Sequence, residues 1–137
     1  MINISIRGTS SARKRKLVRE AAKFAIAELM PRKQNLFVEI VLNKIPDADG
    51  FCTHLDTDAF EIELRRNMNT EDLLTTIFHE FIHVKQYSRG ELKDLPDRYG
   101  YASWKRGRIW SYDSLNSPWE IEAYTGQETM LEAWYAR

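Results

Sequence analysis

The sequence predicts a single α+β domain that spans residues 1–137. Stretches with the two-residue alternation of strands and stretches with the apolar spacing of helices both occur along the chain, which is typical of a mixed fold. A chain of 137 residues can bury one hydrophobic core. Its 43% hydrophobic and 29% charged residues are ordinary for a folded protein, so the disordered and membrane classes are not expected.

The first two predicted elements are a strand and a helix. In residues 3–7, Ile4 and Ile6 alternate with polar residues, which predicts a half-buried strand. From about Ser11, apolar residues recur at helical spacing until Pro31, which cannot continue a helix. These apolar residues are Leu17, Ala21, Phe24, Ala25 and Leu29.

Three more strands are predicted next. Residues 36–42 are rich in β-branched and apolar side chains, and a strong turn signal follows at residues 46–50. Residues 50–55 are predicted to form a second strand. Residues 60–64 alternate apolar and charged side chains, as in a strand with one solvated face. We expect these three consecutive strands to be antiparallel.

A second helix is predicted from Asn69 to about Tyr87. Asn69 is a good capping residue, and the acidic Glu71 and Asp72 suit the first turn because the helix dipole is positive there. Residues 90–116 contain scattered glycine, proline and aromatic residues and support no element assignment.

A last helix is predicted to begin at Ser117, with Ser117 as the cap and Pro118 at the first helical position.

The second helix carries the pentapeptide His79-Glu80-Phe81-Ile82-His83. Two histidines four residues apart lie on one helix face, so both imidazoles can bind one zinc ion at about 2.0–2.1 Å. The motif forms a polar stripe on an otherwise apolar helix, whose apolar residues are Leu74, Ile77, Phe78, Phe81 and Val84. The alternative is a histidine pair that faces water without a metal.

Glu80 is the candidate catalytic base. It adjoins the first histidine but points away from a metal held by both rings, so its carboxylate can accept a proton from a zinc-bound water. Zinc lowers the pKa of such a water from 15.7 to about 7, and the resulting nucleophile can attack a polarised carbonyl. Peptide-bond hydrolysis is the reaction that this arrangement predicts.

A catalytic zinc needs a third protein ligand, and Glu120 is the leading candidate. On the last helix Glu120 falls on the same face as the apolar residues, where an unpaired carboxylate is costly, whereas Glu122 faces away and is the alternative ligand. A competing explanation needs no metal. Ser117 and Glu120 match the S-x-x-E capping box, in which the glutamate bonds a backbone N–H.

The HExxH motif followed by Glu120-Ile121-Glu122-Ala123 resembles the gluzincin branch of the zincin metallopeptidases, and small minigluzincin and phage-type members look most similar. The resemblance implies a zincin-like fold, in which a small twisted antiparallel sheet packs on the active-site helix, with an N-terminal helix and a glutamate-bearing C-terminal helix. It also implies a peptide substrate bound along an edge strand, either residues 50–55 or residues 60–64. Tyr124 stands where related sequences often have Asp or Asn.

The metzincin branch does not fit, because it requires a third histidine in the extended motif. Residues 84–90, which follow His83, contain none.

Three residues are candidates for stabilising the transition state: Tyr112, Tyr124 and His54. Tyrosines in an aromatic-rich segment more often serve in packing. Cys52 and His54 share one face of a predicted strand, so a thiolate at Cys52 could approach the zinc as an inhibitory ligand. A buried cysteine beside a surface histidine is the more common arrangement.

Charge and cysteine content limit the partners and the compartment. The net charge is zero, so we do not expect nucleic acid, although the basic run Arg13-Lys14-Arg15-Lys16 leaves open a nucleic-acid-associated protease. A single cysteine excludes an intramolecular disulfide, and residues 1–7 lack an apolar leader core, so we expect a cytoplasmic monomer. The expected activity is a zinc endopeptidase acting on peptide or protein, and the alternative is a zincin-fold scaffold with little turnover.

Overall fold

The computed structural model describes residues 1–94, 101–110 and 117–137. Within these residues the chain forms three helices and seven strands. In order they are β1 (Ile2–Arg7), α1 (Ala12–Leu29), β2 (Leu36–Asn43), β3 (Gly50–Asp56), β4 (Ala59–Arg65), α2 (Thr70–Ser88), β5 (Leu92–Asp94), β6 (Tyr101–Trp104), β7 (Gly107–Trp110) and α3 (Pro118–Ala136). The predicted α+β class is confirmed.

The main sheet has four strands in the order β1-β2-β4-β3. β1 is parallel to β2, and β2 is parallel to β4, with Ile40 opposite Ile62. β3 alone is antiparallel, and it pairs with β4 at the edge. The prediction of an antiparallel sheet built from three consecutive strands is therefore wrong, because the sheet is mixed and β2 does not pair with β3.

Burial explains the strand order. β2 buries Leu36, Val38, Ile40 and Leu42 on one face and Val41 on the other, and it takes an inner position. Only alternate residues of β3 are even partly buried, which suits an edge strand. β1 and β2 are joined through α1, and a helical crossover returns the chain in the same direction, so these two strands are parallel.

α2 is the central helix and packs against α1, α3 and the sheet. The five apolar residues assigned to its buried face are at most 1% exposed. Burying a side chain of this size contributes about 1.5–3 kcal/mol relative to leaving it exposed, so this face fixes the rotation of the helix. The polar motif is thereby turned toward β3 and α3.

The predicted helix starts are confirmed. The Ser11 side chain accepts a hydrogen bond from the Lys14 N–H at 3.1 Å, and the Asn69 side chain accepts one from the Asp72 N–H at 2.8 Å. Ser117 occupies the N-cap of α3, with Pro118 in the first turn, although the serine side chain makes no capping hydrogen bond.

A second sheet, in the order β5-β6-β7, lies in the segment that had no predicted element. β6 and β7 are joined by Lys105 and Arg106, both with positive φ, at 48° and 73°. Asn-Gly is the usual sequence for such a turn, so Lys-Arg gave no hairpin signal. Leu92 and Ala102 of this sheet form a small buried cluster with Trp119, which anchors the start of α3.

None of the helices in the described ranges combines the length and apolar character needed to cross a membrane.

Candidate metal centre

Three candidate ligand atoms converge between α2 and α3. The Nε2 atoms of His79 and His83 lie 3.3 Å apart. Glu120, in the first turn of α3, places Oε1 3.5 Å from Nε2 of His79 and in closer contact with Nε2 of His83. Among the described residues these three form a group whose ligand atoms all lie within 4.8 Å of one another.

The donor set fits zinc, and so does the spacing of its two nitrogens. Two imidazole nitrogens and one carboxylate oxygen match the three protein ligands of a catalytic zinc site. Two ligands at about 2.05 Å in tetrahedral geometry are about 3.3 Å apart. The separation between the two histidine Nε2 atoms has this value. The Glu120 carboxylate faces the two histidines. It therefore does not form the capping box that was the alternative prediction for this residue.

Each histidine ring has an amide on its far side. Nδ1 of His79 lies 2.8 Å from Oε1 of Gln127, and Nδ1 of His83 lies 2.8 Å from Oε1 of Gln86. Metal-binding histidines usually have such a partner, because it orients the ring and fixes which nitrogen carries the proton. These contacts leave both Nε2 atoms facing Glu120.

No role was predicted from the sequence for either of the two glutamines. Gln127 lies seven residues after Glu120, so the two share a face of α3, and Gln86 lies three residues after His83 on the polar stripe of α2. Helical spacing could have identified both residues. It could not have shown which atom of each amide faces the ring.

Glu80 is only 5% exposed and lies beside the cluster against β3. A Cβ added at Gly50 would be 3.3 Å from Oε2 of Glu80, so the backbone of β3 approaches this carboxylate closely. Burial raises the pKa of Glu80, and the negative charge of Glu120 acts in the same direction, while His83 and His79 oppose both.

Glu120 and His83 shift each other's pKa values. Burial alone would raise the pKa of Glu120, but hydrogen bonds from His79 and His83 and the charges of the two rings hold it at about 2. Burial likewise opposes protonation of His83, yet the hydrogen bond and charge of Glu120, together with the charge of Glu80, leave its pKa raised. Glu120 therefore stays ionised, as a ligand to a cation must be.

The cluster lines a cavity of about 630 Å³. The loop from Asp47 to Asp49, the start of β3, α2 and α3 form its walls. The motif residues are thus accessible from the β3 side rather than sealed in the core.

The other predicted site residues lie in different places. Tyr124 lines the cavity, and its ring centroid is 4.7 Å from that of His79; burial raises the pKa of its hydroxyl. His54 is outside this lining and stacks on Phe60 with ring centroids 4.7 Å apart. Tyr112 falls outside the described residues.

Glu122, the alternative ligand, lies outside the three-residue group. Its Oε1 accepts hydrogen bonds from Lys85 Nζ at 2.9 Å and from Gln86 Nε2 at 3.0 Å. Cys52 lines the cavity without belonging to that group. Burial, with the charge of Glu80, raises the pKa of the Cys52 thiol, which keeps it protonated at neutral pH.

No protein-family model matches the chain, and no curated protein and no solved structure matches it either.

Proposed function

We propose that the protein is a zinc-dependent endopeptidase. The observation that supports this best is the convergence of two histidine Nε2 atoms and a Glu120 oxygen beside the separate, buried carboxylate of Glu80. His79, His83 and Glu120 would hold the ion, and Glu80 would remain free for proton transfer. A site that only bound a metal would not need the second carboxylate.

The position of β3 favours a peptide substrate and a zincin-like fold. β3 is the outer strand of the mixed sheet, and its first residues line the cavity that contains the cluster. A peptide can add to such an edge through main-chain hydrogen bonds. Its scissile bond would then lie next to Glu80, since Gly50 is the point of closest approach between β3 and that carboxylate.

Each proposed catalytic residue has a defined task. Zinc, when bound, would acidify a water molecule and polarise the substrate carbonyl. Glu80 would accept one proton from that water as its oxygen bonds to the carbonyl carbon. It would then deliver the proton to the amide nitrogen as the C–N bond breaks, so that a carboxylic acid, which keeps the second proton of the water, and an amine leave. Tyr124, which lines the cavity and whose hydroxyl has a raised pKa, would donate a hydrogen bond to the developing oxyanion.

Metal content and cleavage test this proposal together. We expect the wild-type protein to purify with about one zinc per chain and to cleave a library of unstructured peptides. Glu80→Gln should retain the metal while losing activity by about 10²–10⁴-fold, because it removes only the proton acceptor. Glu132→Ala, an exposed glutamate on α3, is the control for loss of a carboxylate.

Three results would contradict different parts of this proposal. Absence of zinc from the wild-type protein would rule out the site. Stoichiometric zinc without cleavage of any peptide would favour the scaffold alternative. Full activity in Glu80→Gln would rule out its role as base.

A further inference from the structure

Gln86 is a fully buried amide between the two helices that carry the candidate ligands. Its Oε1 lies 2.8 Å from Nδ1 of His83 on α2. Its Nε2 donates to the main-chain oxygen of Trp119 and to Oε1 of Glu122, both at 3.0 Å and both in the first turns of α3. A buried polar side chain is costly unless its groups are satisfied, and here each end of the amide has a partner.

These partners fix the orientation of the amide. Nε2 has two hydrogens, and a carbonyl and a carboxylate accept them, so both acceptors face the nitrogen end. Turning the amide over would set its oxygen against two oxygens, and both would lose the hydrogen bond from Gln86. The oxygen end must therefore face His83.

The fixed amide determines the state of the ring. Because Oε1 can only accept, Nδ1 of His83 must be the donor in that hydrogen bond. A neutral ring with its proton on Nδ1 has its lone pair on Nε2, the atom that faces His79 and Glu120. That is the form of histidine that a metal requires at this position.

The same amide also sets the position of the third ligand. Trp119 directly precedes Glu120, and Glu122 follows it by two residues, so the two bonds from Gln86 Nε2 bracket the ligand residue. Lys85 donates to the same Oε1 of Glu122 at 2.9 Å, which holds that carboxylate in place. The corresponding amide at His79 has a weaker contact within the described residues, where Gln127 Nε2 donates to Glu128 at 3.4 Å.

We propose that Gln86 and Glu122 are positioning residues for the metal: Glu122 fixes the orientation of the Gln86 amide, and Gln86 fixes both the His83 ring and the first turn of α3. This rests on the proposed zinc site but not on hydrolysis. Neither residue belongs to the group of three candidate ligands. Tyr124 stands where sequences of the family that the chain resembles often have Asp or Asn.

Two substitutions at Glu122 separate amide orientation from charge. In Glu122→Gln the side-chain oxygen can still accept from Gln86 Nε2, whereas Glu122→Ala removes one of the two acceptors and leaves the amide held at that end by the Trp119 carbonyl alone. We expect zinc affinity, measured by competition with a chromophoric chelator, to fall about 10-fold or more in Glu122→Ala and to stay within about 3-fold of wild type in Glu122→Gln. Glu132→Ala on the exposed face of α3 should match wild type.

The visible spectrum of the cobalt-substituted protein supplies a second readout. Its bands depend on coordination geometry, so we expect them to change in Glu122→Ala and not in Glu122→Gln. Gln86→Met, which keeps the length of the side chain but removes all three of its hydrogen bonds, should lower zinc affinity at least as much as Glu122→Ala. If Gln86→Met does not fold, as judged by circular dichroism, the Glu122 pair still decides the question.

The outcomes are distinguishable. Wild-type affinity and an unchanged cobalt spectrum in Glu122→Ala would overturn the positioning role while leaving the zinc site intact. An equal loss in Glu122→Ala and Glu122→Gln would show that the charge of Glu122 acts directly, and would also overturn it. Failure of the wild-type protein to bind zinc at all would overturn the proposed function and this inference with it.

Discussion

The two glutamates of the site differ because their neighbours differ. Glu120 faces two histidine rings, and its lowered pKa of about 2 keeps it a carboxylate. Glu80 is more buried, and burial raises its pKa. Two carboxylates whose pKa values are pushed apart by their surroundings commonly take different roles. The ligand and base roles proposed for Glu120 and Glu80 follow this division.

Removing Glu120 should weaken zinc binding more than removing any outer partner does. Glu120→Ala leaves two histidine ligands, and we expect its zinc affinity to fall by more than the roughly 10–100-fold that loss of an outer hydrogen-bond partner costs. Isothermal titration with zinc would measure this, with Glu132→Ala as the control. Unchanged affinity would show that Glu120 is not the third ligand.

Gly50 is required by the close approach of β3 to the site. A Cβ there would lie 2.7 Å from Thr76 Cγ2 and 2.8 Å from the main-chain oxygen of Glu63. We expect Gly50→Ala to lower the free energy of unfolding by about 1–3 kcal/mol, as overpacking in a close-packed region does, and to reduce cleavage by displacing Glu80. Urea titration would measure the first effect and a peptide assay the second.

Gly107→Ala is the matched control, because the nearest atom to its added Cβ is 3.4 Å away. It should be close to neutral in both assays. Equal stability of Gly50→Ala and Gly107→Ala would mean that β3 can move away from α2 at little cost.

Residue spacing predicted the candidate site well where the helix itself sets the geometry. The 3.6-residue period alone brings His79 and His83 together, and burial of the apolar face of α3 selected Glu120 over Glu122. The orientation of the Gln86 amide depends on two residues of α3, Trp119 and Glu122, which are 33 and 36 positions away along the chain. Such tertiary contacts leave no local pattern in a sequence.

At the scale of elements, helices were predictable and strand partners were not. Capping residues and apolar periodicity define each helix locally, whereas the order of strands depends on which of them can be buried on both faces. β4 enters the sheet between β2 and β3, so two strands adjacent in sequence are separated in space. The strand-helix-strand order of β1, α1 and β2 was an available signal for parallel pairing.

α2 and α3 approach each other closely at Gly126. A Cβ at this position would lie 2.7 Å from Cδ1 of Ile82, the flexible end of a side chain that is 2% exposed. Alanine is favoured over glycine inside a helix by about 1 kcal/mol, and this gain opposes the clash. We expect Gly126→Ala alone to change stability little.

A double-mutant cycle separates the two effects. Ile82→Val removes Cδ1, so Gly126→Ala in that background should stabilise the protein by about 0.5–1 kcal/mol relative to Ile82→Val alone. Urea unfolding of the four proteins gives the coupling energy. Additive effects would show that the helices already separate enough to admit the methyl group.

For the whole molecule, zinc would act as a cross-link between two helices. His79 and His83 belong to α2, which forms the centre of the core, while Glu120 begins α3, which packs mainly on α2. Within the described residues, the other polar ties between these helices pass through Gln86, Lys85 and Gln127. Binding of a metal only to the folded state must raise the stability of the whole domain.

Thermal unfolding should therefore depend on zinc. At a free concentration of 100 times Kd, binding stabilises the folded state by about 2.7 kcal/mol, which corresponds to a rise in Tm on the order of 10 °C for a chain of this size. Differential scanning fluorimetry with added zinc or with a chelator would measure the shift.

Magnesium should give no such rise in Tm, because it prefers a shell of oxygen ligands. Glu80→Gln should keep the zinc-dependent rise and Glu120→Ala should lose most of it; a rise of equal size in both variants would mean that zinc stabilises the domain from some other site.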